Sequence, residues 1–158
     1  MGTFLWSDHH DKPRWEKRSE LSLAGELRLP KGIMRRVITR RKDDAWQIDD
    51  GFYPAEATQA ERSEVLWQFA PNVRLSIMKT GVFRAEMDQS SIAIEVESGW
   101  DEQDCWSPKP GDNTPPHDEM YGSCSPGFRV ATVAPFIRLR GQVGTGLLRT
   151  TIKRVPEK

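Results

Sequence analysis

Long apolar runs are missing from this chain of 158 residues, only 37% of which are hydrophobic. Nothing approaches the roughly 18 consecutive apolar residues of a membrane span. The opening Met1–His10 meets acidic and imidazole side chains before any apolar core of leader length. Gly2 makes no myristoylation site, because Trp6 stands where that motif needs Ser or Thr. The expectation is a soluble protein without a signal peptide, cytoplasmic or held within a particle.

Cysteine is scarce, with only Cys105 and Cys124. A bond between them would close a loop of about 20 residues, worth roughly 3 kcal/mol by loop entropy. In a reducing setting free thiols are expected instead. Histidine is scarcer than a metal enzyme needs, since His117 alone joins His9 and His10. The run Asp8-His9-His10-Asp11 resembles a fragment of a dinuclear metal site, but such a site needs further ligands on strand ends. Cys105, His117 and Cys124 lack the close ligand pairs of structural zinc sites. No metal or other cofactor is expected.

Nucleophile signatures are also absent: there is no Gly-x-Ser-x-Gly elbow and no defensible Cys–His pair. The glycines at 141, 144 and 146 look like a phosphate-cradling loop, which requires a helix start directly after it. Leu148–Val155 has strand composition instead, so a hairpin loop is the reading. Glu95 and Glu97 would share one strand face roughly 6.5–7 Å apart, within the range of paired glycosidase carboxylates. Carboxylates so placed more often coat a solvated face.

What the chain does contain is period-two alternation, the mark of half-buried strands. Val65, Trp67 and Phe69 share a face, as do Val73, Leu75 and Ile77. Val82–Met87 and then Ile92, Ile94 and Val96 follow after turn signals at Thr80-Gly81 and Asp88–Ser91. These four runs suggest an antiparallel meander. Earlier, Leu21–Leu29, Ile33–Lys42 and Ala45–Ile48 read as strands, with turns at Pro30-Lys31-Gly32 and at Asp49-Asp50-Gly51. Later, Arg129–Val133, Phe136–Arg140 and Leu148–Val155 do so as well. The fold class is therefore all-β and mainly antiparallel, sandwich or barrel-like, with at most one short helix near 54–62, where Pro54 and early glutamates supply start signals. Residues 1–20 read as an extended N-terminal arm carrying Phe4, Trp6 and Trp15. Residues 21–158 form one β-rich domain, interrupted by a proline- and glycine-dense loop at 98–127 with Trp100, Trp106 and Tyr121.

Charge sums to zero but is segregated: residues 85–124 hold ten acids against one base, and 125–158 one acid against seven bases. Either opposed faces steer a partner, or the acidic middle folds over the basic tail of its own molecule. Arg35, Arg36, Arg40, Arg41, Arg138, Arg140, Arg149 and Lys153 could line one basic surface able to contact phosphates. The leading functional reading is a non-enzymatic structural or interaction protein, a β-rich subunit of a larger assembly such as a virion or phage-like particle. Its contacts would be made by the arm and the long loop, with copies of itself or other subunits as partners. A nucleic-acid-binding β module using the basic patch is one alternative. An enzyme or small-ligand binder with Glu95, Glu97 and His117 under the 98–127 loop is the other.

Overall fold

The computed structural model describes residues 14–29, 32–55, 62–88, 90–97, 100–109, 111–112, 123–127, 130–142 and 148–155. It is all-β, with antiparallel sheets, a sandwich-like build and no helix among the described residues. Among the described residues thirteen strands occur in order: β1 Arg14–Ser19, β2 Ser22–Leu29, β3 Gly32–Arg40, β4 Trp46–Pro54, β5 Arg62–Gln68, β6 Arg74–Lys79, β7 Val82–Met87, β8 Ser90–Val96, β9 Glu102–Trp106, β10 Ser123–Gly127, β11 Val130–Val133, β12 Phe136–Gln142 and β13 Leu148–Arg154. Eight of them form one large sheet in the order β1-β2-β3-β4-β13-β8-β7-β6. A second sheet orders β5-β12-β9, and β10 pairs with β11. Among the described residues no helix is long and apolar enough to cross a membrane.

Turn chemistry explains the hairpins. The β3–β4 link closes with the Arg41 N–H donating to the Ala45 carbonyl at 2.8 Å, while Asp44 takes a left-handed φ of 57°. Gly81, at φ 75°, turns β6 into β7. β6, β7 and β8 then pair in succession.

Several expectations are corrected by long-range pairing. β5 is a strand but does not lead the meander, for it pairs with β12 in the other sheet, Val65 opposite Leu139 and Trp67 opposite Ile137. Asp49-Asp50-Gly51 is not a turn: β4 runs straight through it, because Arg149 and Arg36 neutralise the two carboxylates from neighbouring strands. Within the breaker-rich 98–127 tract, β9 is regular, held by β12 through Trp106 opposite Phe136 and Glu102 opposite Arg140. Finally, β12 and β13 belong to different sheets, so the glycine segment between them links sheets and closes no hairpin. Of the expected helix, 56–61 lies outside the described residues, and Pro54 ends β4.

Alternation gives the large sheet two faces. The outer one is polar, joining Ser22 to Thr39 (3.1 Å), Gln47 to Asp49 (2.9 Å) and Lys153 to Glu95 (2.8 Å). The inner face is apolar and divides in two. Over β6, β7, β8 and β13 it is covered by the smaller sheet, where Ile137 and Leu139, both fully buried, meet Leu75, Phe83, Ala85, Ile94, Val96 and Trp100. Polar ties hold this contact in place: the Leu75 N–H donates to Ser107 Oγ (3.2 Å), and the Gly81 N–H to Gln103 Oε1 (2.9 Å). Over β1–β4 the described residues leave the inner face as a concavity, lined on its far side by Val65 and Leu66.

Cys105 is a free thiol packed at the edge of this core. Burial pushes its pKa up to about 11 from 9.0. At pH 8 its thiolate fraction should then fall on the order of 100-fold below that of an exposed cysteine. A Cys124→Ser chain should accordingly react with a disulfide reagent that much more slowly when folded than when unfolded by urea. Equal rates would show the thiol to be solvated. Because the folded pKa is the raised one, this group's contribution to stability is complete below pH 9. It drains away as pH rises from 9 towards 11.

Candidate functional site

β-Strands alternate, so every second residue of β1–β4 looks inward: Trp15 on β1, then Leu23, Gly25 and Leu27 on β2. Met34, Arg36 and Ile38 on β3 are followed by Asp50 and Phe52 on β4. Together with Val65 and Leu66 of β5 and Leu148 of β13, this face encloses a concavity of about 580 Å³. That volume lies in the usual range for ligand or side-chain-accepting pockets. Its rim is unusually apolar for a surface, with Trp15 69%, Met34 50% and Leu23 40% exposed. Gly25 permits the shape, since a Cβ there would come within 2.9 Å of the Trp15 ring.

The Arg36–Asp50 ion pair sits in this wall, which Glu26, Arg35 and Glu64 also line. Arg36 donates from Nε (2.6 Å) and Nη2 (3.0 Å) to the two Asp50 oxygens. The guanidinium carbon also lies 5.3 Å from the centre of the Trp67 ring, a cation–π distance. A bidentate pair fixes the plane of the guanidinium, so Trp67 and Arg36 together tie β5 to β3 at the inner end of the groove. Among the described residues β1 pairs with β2 alone and β5 with β12 alone, and both strands line the groove. Among the described strands, each of the two therefore has a neighbour on one side only.

The expected basic surface does not assemble. Arg35 faces Glu26 (3.7 Å), Arg36 Asp50, Arg40 Asp44 (2.9 Å) and Arg41 Asp43 (3.3 Å). Arg138 donates to Asp104 from Nε (3.1 Å) and Nη2, Arg140 to Glu64 (2.6 Å), Arg149 to Asp49 (2.6 Å) and Lys153 to Glu95 (2.8 Å). Arg36 belongs to the groove, Arg35, Arg149 and Lys153 to the outer face of the large sheet, and Arg138 and Arg140 to the smaller sheet. Each of the eight has a carboxylate partner.

These pairs also account for the segregated charge. Glu95, Glu97, Glu102 and Asp104 of the acidic middle meet Lys153, Arg149, Arg140 and Arg138 of the basic tail. Cross-strand pairing has folded one block onto the other. The hydrogen bond from Arg149 to Asp49, with Glu97 adding to it, holds that guanidinium above its ordinary pKa. Arg138 is the most buried of the set at 7% exposure, against a half-exposed Asp104. Removing a partner from a buried pair costs more than removing a surface one. Asp104→Ala should thus destabilise by about 2 kcal/mol in urea, whereas Asp43→Ala, whose partner is exposed, should change stability by under about 0.5 kcal/mol.

The other expected sites disperse. Glu95 and Glu97 lie outside the groove with cationic partners, and His117 lies outside the described residues. Trp100 is buried in the core, while Trp106 tilts against Phe136 with ring centres 5.7 Å apart, so both pack on their own molecule. Phe4, Trp6, Tyr121 and the Asp8–Asp11 run lie outside the described residues. Trp15 is the expected contact residue that the groove does include. Among the described residues no three His, Cys, Asp or Glu side chains converge as metal ligands would.

No protein-family model matches this chain, and no curated protein sequence matches it either. The groove must be read on its own chemistry.

Proposed function

We propose that this chain is a non-enzymatic interaction protein, a β-rich subunit whose groove over β1–β4 receives an extended segment of a partner polypeptide. The observation that carries the reading is the inner face over β1–β4, where Trp15, Leu23 and Met34 stay exposed around a concavity beside β1, the edge strand of the large sheet among the described residues. Burying such side chains contributes about 25 cal/mol per Å² of apolar surface removed from water. A free edge offers the second ingredient, main-chain N–H and C=O groups ready to extend the sheet. A strand added at β1 would pair along the edge and send alternate side chains into the groove, the mode known as β-augmentation.

The reading needs neither reactive groups nor a cationic surface. Arg36 pairs with Asp50, Arg35 with Glu26 and Glu64 with Arg140, so a partner meets a mainly apolar face whose charges are paired. The nucleic-acid alternative loses its support where all eight basic residues face carboxylates. A ligand site beneath the 98–127 tract loses its own because Glu95 and Glu97 have cationic partners away from the groove.

The test is binding of the intact protein to an array of random decapeptides. Bound sequences should alternate apolar and polar residues, and proline at positions donating to β1 should abolish binding. Leu23→Asp, which puts a charge in the groove, should weaken the selected peptides at least about tenfold, near 1.4 kcal/mol. Selection of peptides without alternation, or indifference to Leu23→Asp, would remove the reading.

A further inference from the structure

We infer that the partner strand is selected by charge as well as by alternation: opposite Arg14, Glu16 and Arg18 it carries an acidic, a basic and an acidic residue, two apart. This rests on the reading of β1 as the edge that a partner extends, and adds which partner that edge accepts. Period two sets Arg14 and Glu16 on the opposite face of β1 from Trp15. A bulge between Lys17 and Ser19 leaves Arg18 out of the ladder with β2. Its Nε lies 3.6 Å from the Glu16 carboxylate, so it joins the same face. Arg14, Glu16 and Arg18 are all exposed. Positive, negative and positive side chains thus stand in line along the edge, behind the apolar groove.

The pattern continues one that already runs across the sheet. Arg14 stands opposite Glu26 on β2, and Glu26 faces Arg35 on β3 at 3.7 Å. Sign alternates from strand to strand along this row, and a carboxylate on the next strand outward extends it. Glu16 stands opposite Ala24, so β2 offers it no cation, and a Lys or Arg of the added strand meets it from the other side. Opposite charges directly across a strand pair stabilise it, and like charges destabilise it. The order of signs reads the same from either end, so it serves a parallel or an antiparallel partner. Residues between the charged ones turn to the groove side and are apolar there.

These same charges act against a second copy of this chain. Two β1 edges paired antiparallel about Glu16 would set Glu16 against Glu16 and each Arg14 against Arg18. A parallel pairing in register repeats every sign. Shifting the antiparallel register by two residues brings Arg against Glu but shortens the overlap. Charges on an edge strand guard it against its own kind, and selectivity comes from repelling one partner as much as from attracting another.

The experiment takes one array-selected decapeptide and places Glu or Lys, in every combination, at three successive positions facing away from the groove. Its remaining outward positions carry Ser, and each frame is tried in turn. Affinity for the intact chain is read by fluorescence anisotropy. Glu-Lys-Glu should bind tightest and Lys-Glu-Lys weakest, about tenfold apart. The difference should fade near 1 M salt, where the screening length falls to about 3 Å. Glu16→Lys should invert the choice at the central position alone, by about fivefold. A chain carrying Arg14→Glu, Glu16→Lys and Arg18→Glu should invert the whole order. Both variants leave the groove wall unchanged and should still bind alternating peptides. Equal affinities across the set, or an order that Glu16→Lys does not alter, would overturn the inference and leave the groove standing as a polypeptide site. If no alternating peptide binds the intact chain, the inference falls together with the reading beneath it.

Discussion

Phe83→Ala should lower stability by about 4 kcal/mol, the range for emptying a large aromatic site in a close-packed interior. Phe83 is 1% exposed on β7, on the inner face of the large sheet, in the cluster to which Ile137 and Leu139 contribute from the smaller sheet. It thus stands where the two sheets meet, and its removal leaves a void that neither can close without moving strands. In a domain of this size the melting temperature should drop by roughly 10 °C. The urea midpoint should fall with an unchanged slope, since the same surface is exposed on unfolding. A loss under about 1 kcal/mol would mean that the sheets do not share an interior.

Gly32→Ala is expected to have the next largest effect, roughly 2–3 kcal/mol. β3 starts here beside the end of β4, with Gly32 opposite Pro54. A Cβ at this position would lie 2.3 Å from the Tyr53 carbonyl oxygen and 2.9 Å from the Pro54 Cα. Both are backbone atoms, so no side-chain rotation relieves the overlap and β4 itself must shift. Gly32 also has φ 157°, which side chains adopt rarely. Gly111, at φ 95° with open space around it, is a useful control: Gly111→Ala should cost only backbone strain, about 1 kcal/mol.

These positions show what was legible in the sequence. Alternation identified Val65, Trp67 and Phe69 as one face of a strand; Val65 and Trp67 stand so on β5, and Phe69, just past its end, packs on the same core. Alternation names a face but not a neighbour, so it could not reveal that β12, more than 60 residues further on, is the partner. Asp49-Asp50-Gly51 has the composition of a turn. What overrides it are Arg36 and Arg149, from 14 and 100 residues away, which convert the acidic pair into strand residues. β9 escaped notice for the same reason, lying among prolines and glycines with its order supplied by β12.

The groove was hidden differently. Leu23, Leu27, Met34 and Ile38 fall in runs that read as strands, and with Phe52 they stand on one face of the large sheet. Whether such a face is then covered depends on where the other sheet lands, and that follows from no local pattern. The charge blocks at 85–124 and 125–158 were visible from composition alone. Only the register of β13 against β8 and of β12 against β9 shows that they neutralise one another within a single molecule.

The central claim is that the outer edge of β1, which pairs with no other described strand, and the apolar face behind it form the contact surface for a partner strand. Amide hydrogen exchange of the protein saturated with an array-selected peptide tests this most directly. The outward-pointing amides of β1 should gain protection at every second position, while β9 and β12 stay unchanged. Protection confined to the smaller sheet, or none at β1, would contradict it.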